Sequence, residues 1–479
     1  MPKLAQDAYD AVIIGAGIGG LVCGCYLAKA GMKVLIAEQH FKPGGYCTSF
    51  KRKGFTFDAA ADCFGAYRKD GITRKVFEDL GIDKKLNIIR FDPPSIILTP
   101  DYKLAFWNDH NKLISELQEA FPNEKKINEF IMFLVSPRPA DIAAMKNRTF
   151  KDLLDRYFAD NRLQSILSYQ LFVNGGLPPS LMSAFAGLRI FTEFVLDGGY
   201  YPNGGMQALP DALTERFKEF GGEIRLSALV KRIRVKDTKV EGVVLEEDGF
   251  IPSKYVVSNC DARQTFFELL GDDLLSKELA GRLNTMTPSL SMFILYLGID
   301  EYFDALPKPC VTLYYLPHYN LEDMYLSAWA ENSTDLKKYS LRVSPDGRAI
   351  LAMANTSFKN KQYWENKKHG LIEHFTEIIE QSAIRDLSKH IVYKEAATPH
   401  TLYRYTLNYK GAAYGWASTP NQIMDPDFRK PSTIENLYLT GHWTTYGQGI
   451  AGVVYLGYDM AKSILRTKKK CTIPATGNY

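Results

Sequence analysis

Cysteine is scarce, 7 in 479 residues, and no pair has the spacing of a zinc knuckle or a redox-active dithiol. That excludes a dense disulfide framework, a zinc module and dithiol exchange chemistry. Cys23 and Cys25 stand two apart in a helical pattern, so they face different directions. An excess of one charge is also lacking. Lys and Arg total 58 against 54 Asp and Glu, a net charge of +4, too mild for the usual basic footprint of a nucleic-acid binder. No nucleic-acid partner is expected. No segment reaches the ~18 uninterrupted apolar residues of a spanning helix. The first ten residues, MPKLAQDAYD, lack the apolar centre of a secretory signal. Internal repeats and low-complexity linkers are missing as well. What remains is 46% hydrophobic and 23% charged, a globular composition long enough for two or three domains. A cytoplasmic protein with reduced thiols is expected, soluble or peripheral on a membrane.

What is present is concentrated in Ala11–Glu38, AVIIGAGIGGLVCGCYLAKAGMKVLIAE. A short apolar strand (Ala11–Ile14) runs into Gly15-x-Gly17-x-x-Gly20, and a helical pattern follows that stops at Gly31. A second apolar strand, Val34–Ala37, ends on Glu38. Gly15 permits the tight turn, Gly17 lets backbone approach a pyrophosphate, and Gly20 allows close helix–strand packing. The helix N-terminus offers free N–H groups and a positive dipole end to phosphates. Glu38 stands where a carboxylate accepts both ribose hydroxyls of an adenosine. Pro43-Gly44-Gly45 is a second turn whose amides suit an anion, so a dinucleotide held along its length is expected.

Residues 51–62 read as a Phe-rich strand pair. Residues 71–199 change character, with helical patches at 73–80, 111–120 and 150–158 and many aromatics. Ile127–Val135 and Ala184–Leu196 are more apolar than one amphipathic face requires, which marks them as buried helices or lipid contacts. The nucleotide-type pattern returns at Gly204-Gly205, which starts an amphipathic helix over 206–220 that Gly221-Gly222 stops. Short strands follow at 223–226, 230–235, 240–245 and 255–257, ending on Ser258-Asn259-Cys260-Asp261. Residues 271–424 are again mixed, with a strand at 292–299. A terminal strand (436–440) leads to Gly441-His442-Trp443, then Gly447-Gln448-Gly449-Ile450, and a helix to about 465. Three distant pieces, 5–70, 200–275 and 425–470, therefore read as one α/β Rossmann-type domain. The insertions 71–199 and 276–424 read as an α+β substrate domain interleaved with it.

Taken in order, these motifs resemble the flavin-dependent oxidoreductases of the phytoene desaturase type, a group that includes carotenoid isomerases and retinol saturases. The resemblance covers the whole chain, and Tyr446–Ile450 is most similar to the isomerase and saturase branch. It implies a glutathione-reductase-like fold and FAD as cofactor. Gly15, Gly17, Gly20, Gly44 and Gly45 would line the phosphates, Glu38 the ribose and Val230 the adenine. Gly441, Gly449 and Ile450 would flank the flavin end, where the dipole of the last helix favours negative charge on the reduced ring. Two positions depart from the pattern. Tyr46 replaces an Arg that often follows the Gly-Gly pair, leaving Lys51, Arg52 or backbone amides to balance the phosphates. His442 replaces an acidic residue after the last strand.

Without a second Gly-x-Gly-x-x-Gly after a strand, no separate nicotinamide domain is expected. The reaction would rest on flavin N5 acting on a substrate carbon. An aromatic-rich insertion suits a long hydrophobic polyene or isoprenoid, whose burial contributes roughly 0.8 kcal/mol per CH₂. Thr398–Trp416, TPHTLYRYTLNYKGAAYGW, is expected as a wall over the flavin. His400, Tyr403 and Arg404 are its candidates for proton handling, and no catalytic residue is singled out. Desaturation, saturation and cis–trans isomerisation stay open. So do an amine-oxidising flavoenzyme and a non-catalytic flavin- or lipid-binding protein.

Overall fold

In the computed structural model, residues 8–330, 334–423, 434–444 and 448–472 are described. Tyr446, Gly447 and residues 424–433 lie outside them. Tyr9–Ile14 and Val34–Ala37 are buried on both faces, as their continuous apolar sequence requires of central parallel strands. They pair in parallel with each other. Tyr9–Ile14 also pairs with the end of Gly249–Ser258, and Val34–Ala37 with Glu223–Arg225. Leu437–Leu439 adds in parallel on the far side of Gly249–Ser258. That ten-residue strand belongs to two arrangements, because its first half pairs antiparallel with Lys239–Leu245, which pairs with Val230–Lys236. The seven-stranded sheet is thus assembled from segments separated by up to about four hundred residues.

Helix Ile18–Lys29 packs between this sheet and the C-terminal helix Gly449–Thr472. Close approach is possible because Gly457 faces the Gly19 carbonyl, where a Cβ would lie 2.4 Å away. Helix Ala208–Glu219 covers the first helix on another side, with Leu209, Leu213 and Phe217 buried. A second sheet of seven strands runs Ile391–Ala397, Ser291–Ile299, Ala349–Thr356, Tyr339–Val343, Thr312–Tyr315, Ser95–Leu98 and Lys103–Phe106. All pairs in it are antiparallel except Thr312–Tyr315 with Ser95–Leu98. Beside it lies a helical layer whose core takes in the apolar run of Ile127–Val135 through Ile127, Phe130, Ile131 and Leu134. Ala184–Ile190 continues into a π-helical turn, Phe191–Leu196, and buries Leu188, Phe191, Val195 and Leu196 in the same core. No described helix is long and apolar enough to cross a membrane.

Candidate functional site

One cavity of about 330 Å³ reaches from the Gly15–Gly19 loop to the insertion helices and the second sheet. At its nucleotide end the turn Pro43–Gly45 is locked to the first loop: the Gly44 amide donates to the Ala16 carbonyl at 2.9 Å. Gly44 has φ +130° and Gly45 φ +57°, a conformation that favours glycine. Helix Ile18–Lys29 has Gly17 at its N-cap and no side-chain cap, and Gly17, Ile18 and Gly19 face the cavity. Their orphan amides are a cradle for an anion.

The glycines are shaped around one side chain, Asn259. A Cβ on Gly17 would sit 2.9 Å from its Nδ2, and Cβ atoms on Gly19 and Gly441 would sit 2.8 and 2.6 Å from its Oδ1. Asn259 follows the bifunctional strand Gly249–Ser258 and so joins two sequence-distant glycine motifs, the Gly15–Gly20 loop and Gly441. Gly20 does not line the cavity. A Cβ there would lie 2.3 Å from the Gly15 carbonyl oxygen, so its service is helix–strand packing. The other nine candidates, Gly15, Gly17, Glu38, Gly44, Gly45, Val230, Gly441, Gly449 and Ile450, all border the cavity.

Glu38 is 8% exposed. Its Oε2 accepts from the Ala16 amide at 2.6 Å and its Oε1 from the His40 amide at 2.9 Å. Burial pushes its carboxyl pKa up, while the amides of His40, Ala16 and Gln39 pull it back down. Both oxygens keep a lone pair for a hydroxyl donor. At the opposite end Gly449 has φ +67°, and an added Cβ would meet only open space. Gln448 borders the cavity with both amide atoms buried and no hydrogen-bond partner among the described residues. An uncapped amide cradle, a buried carboxylate with free lone pairs and an orphaned amide at the far end are the donor set that a flavin dinucleotide satisfies.

Tyr46 does not face an anion as an Arg would. Its hydroxyl donates to the Ala412 carbonyl at 2.9 Å and accepts from Asn408 Nδ2 at 3.1 Å, while Asn408 Oδ1 accepts from Trp443 Nε1 at 2.8 Å. Tyr46 therefore ties the glycine turn to the second insertion. Lys51 and Arg52 are exposed on the strand Ser49–Arg52 and stand outside the cavity wall, so backbone amides carry the anion-binding capacity. His442 borders the cavity, and burial lowers its pKa to about 4, which keeps the imidazole neutral.

Thr398–Trp416 does supply wall, but through other residues than those anticipated. Pro399–Thr406 is a helix, and its phase turns Leu402, Tyr405 and Thr406 to the cavity. His400, Tyr403 and Arg404 do not border it. Tyr403 is 39% exposed, and the Arg404 guanidinium lies 4.8 Å from the Tyr405 ring centre. Sequence reasoning missed Asp62. It borders the cavity, and its Oδ2 lies 3.2 Å from Nη1 of the buried Arg342. Arg342 also donates to the Asp62 carbonyl and Thr312 Oγ1 and lies 3.3 Å from Cys63 Sγ. The partners are some 280 residues apart, so no spacing signals the pair.

This chain is 27% identical over 499 residues to "Prolycopene isomerase, chloroplastic" of Daucus carota, covering 95% of this chain and 80% of that one. It is 26% identical to "Phytoene desaturase (lycopene-forming)" of Pantoea ananas (92% and 96% covered). It is 23% identical to "All-trans-retinol 13,14-reductase" of Danio rerio (90% and 82%). Among solved structures, an oxidoreductase from Methanosarcina mazei superposes with TM-score 0.67 at 18% identity, covering 95% of this chain and 99% of that chain. Putrescine oxidase superposes with TM-score 0.63 at 14% identity, covering 96% and 99%. The likeness to these solved structures shows the fold, a Rossmann-type sheet beside a second, largely antiparallel sheet. The model of the flavin-containing amine oxidoreductases matches residues 18–465, and the chain belongs to that family.

Proposed function

We propose that this flavoenzyme acts on a long hydrophobic polyene or isoprenoid of carotenoid or retinoid type, by desaturating, saturating or isomerising a carbon–carbon double bond. The observation that carries the reading is the cavity's second arm. Beyond the glycine loops it is bordered mainly by apolar side chains, Ala60, Phe185, Ile190, Phe194, Met292 and Met353, with Arg189 and Glu193 among them, a surface that holds an apolar chain chiefly by burial. The naming of the isomerase, desaturase and reductase relatives supports the same substrate class. An amine substrate is less well served. Each carboxylate in the wall is already engaged: Glu38 by two amides, Glu193 by both Arg68 nitrogens at 2.7 and 3.1 Å, and Asp62 by Arg342.

In this reading residues 5–70, 200–275 and 425–470 hold the cofactor and residues 71–199 and 276–424 the substrate. Gly15, Gly17, Gly44 and Gly45 with the uncapped helix would bind the pyrophosphate. Glu38 would accept from the ribose and Val230 would pack on the adenine, with Gly441, Gly449 and Ile450 at the ring end and Gly20 holding the loop's shape. Bound FAD supplies hydride exchange at N5. The apolar arm aligns the chain and excludes water, while Leu402 and Tyr405 wall the crossing between the two arms. The exposed Met132 (50%) and Ile142 (37%) support peripheral contact with a lipid surface carrying such a substrate. Organic extraction of the purified yellow protein, with mass analysis of the extract beside the flavin spectrum, tests the reading. A bound polyene or isoprenoid is expected, whereas peroxide release with polyamines and no effect of any polyene would overturn it.

A further inference from the structure

The helix Ala184–Ile190 and the π-helical turn after it present one continuous face to the cavity: Phe185, Ala186, Arg189, Ile190, Glu193 and Phe194. The spacing is the i, i+4, i+8 row of a helix. Four of the six are apolar, and Glu193 is neutralised from outside by the two-pronged Arg68 contact. Arg189 is left as a cation in the middle of an apolar face. Among the described residues it forms no ion pair or hydrogen bond, although Glu193 stands one turn further on. It is also the only Arg or Lys among the described residues that border the cavity. An unpaired cation beside apolar walls forgoes part of its hydration and gains a counter-charge only from whatever enters. Gln448, with its unpartnered buried amide, borders the same region. Its Oε1 and Ile190 Cδ1 lie 3.8 and 3.5 Å from the point where a Cβ on Gly175 would sit.

We propose that Arg189 is a specificity residue that receives a carboxylate at the end of the isoprenoid chain, so that the preferred substrate is a polyene or isoprenoid acid and not a pure hydrocarbon. The proposal rests on the hydrophobic-chain reading above and adds the end group to it. One guanidinium matches one carboxylate in charge and in its planar, two-pronged geometry. A phosphate dianion would require further cations, and none lines the wall among the described residues. A charge-assisted contact of this kind is worth about ten- to hundredfold in affinity.

The test is titration of the FAD-loaded protein with all-trans-retinoate and all-trans-retinol, which share a carbon skeleton, and with phytoene, each read as perturbation of the flavin absorbance. Wild type is expected to bind the acid about ten- to hundredfold more tightly than the alcohol. The ratio should fall to about one in Arg189→Leu and be largely kept in Arg189→Lys. If the Leu variant fails to hold flavin, Arg189→Gln, which keeps length and polarity, gives the same comparison. Equal binding of acid and alcohol by wild type, tighter binding of a phosphate-ended isoprenoid, or an unchanged ratio in the uncharged variants would overturn the proposal and leave the hydrophobic-chain reading standing. Binding of neither retinoid nor phytoene would overturn both.

Discussion

Replacing Glu38 separates two duties, the loop closure its carboxylate performs and the ribose contact proposed for it. In Glu38→Gln one oxygen stays as an acceptor for a loop amide while the charge is lost. Hydrogen bonds to a charged group are worth about 1.5–3 kcal/mol and neutral ones about 1 kcal/mol. Converting one ribose contact and losing the other therefore costs about 2–3 kcal/mol, roughly a 30- to 150-fold weaker FAD complex. Glu38→Ala also strands the Ala16 and His40 amides, at about 1–3 kcal/mol each, so it should lower the stability of the flavin-free protein as well. Titration calorimetry of FAD into each apoprotein reads the first effect, and urea unfolding reads the second. The pH dependence is a further signature. Burial raises the Glu38 pKa, whereas hydroxyl donors favour the ionised carboxylate. FAD binding should then release protons and weaken as pH falls, a slope that disappears in Glu38→Gln. Wild-type affinity in both variants, with an unchanged pH slope, would refute the assignment of the ribose to Glu38.

Asp261 and His442 should act on stability in opposite directions between about pH 4 and 6. Burial raises Asp261 to about 6, so its contribution is complete below its unfolded value and is lost as pH rises through 6. His442 is lowered to about 4, so its contribution is present above the unfolded value of 6.5 and is lost as pH falls through 4. Each amounts to about 3 kcal/mol at 1.36 kcal/mol per pH unit. Asp261→Asn should unmask a steady loss of urea stability on acidification of the flavin-free protein, and a flat profile would count against it. Gly441→Ala, with φ +86° and a Cβ 2.6 Å from Asn259 Oδ1, should cost about 1–3 kcal/mol in thermal unfolding and reduce flavin content. At Gly449 an added Cβ meets no described atom within 4 Å, so Gly449→Val should fold, at about 1–2 kcal/mol of backbone strain, but purify with little flavin by absorbance. Full flavin occupancy would place the helix start away from the ring. His400→Ala, which alters no cavity-lining side chain, should leave turnover within about twofold of wild type. A large loss would mean that the second insertion reaches the substrate by another route.

The nucleotide end was legible because its constraints are local. Strand, turn, helix and acid fall within Ala11–Glu38, so the motif can be read from one short stretch of sequence. Asn259 shows the edge of that legibility: it stands out as the end of a strand, yet its role as the side chain around which Gly17, Gly19 and Gly441 are fitted depends on packing between distant segments. The strand it ends was read as 255–257, because the Pro252-containing first half pairs at the antiparallel side where alternation is broken. The second sheet was the least visible part. Only 292–299 stands out as a strand in the sequence, since Ser95–Leu98, Thr312–Tyr315 and Tyr339–Val343 are short, and the first two pair with each other across more than two hundred residues. For Thr398–Trp416 the composition pointed to the right place. The helical phase of Pro399–Thr406 then decided which residues face inward, and an aromatic-rich segment read without that phase put His400, Tyr403 and Arg404 forward in place of Leu402, Tyr405 and Thr406. Arg68–Glu193 and Asp62–Arg342 are long-range pairs that no one-dimensional spacing announces.

The account's central claim is redox or isomerase chemistry on a polyene at a protein-bound FAD, and anaerobic turnover tests it most directly. Holoprotein with its flavin either oxidised or pre-reduced is incubated with an acyclic carotene, a retinol and a retinoic acid, and products are resolved by chromatography with mass detection. The account predicts a product differing from substrate by a pair of hydrogen atoms or by double-bond geometry alone. It also predicts that this product is lost when FAD is removed and restored when FAD is returned. Unchanged polyenes in both flavin states, together with peroxide-releasing oxidation of an amine by the same preparation, would contradict it.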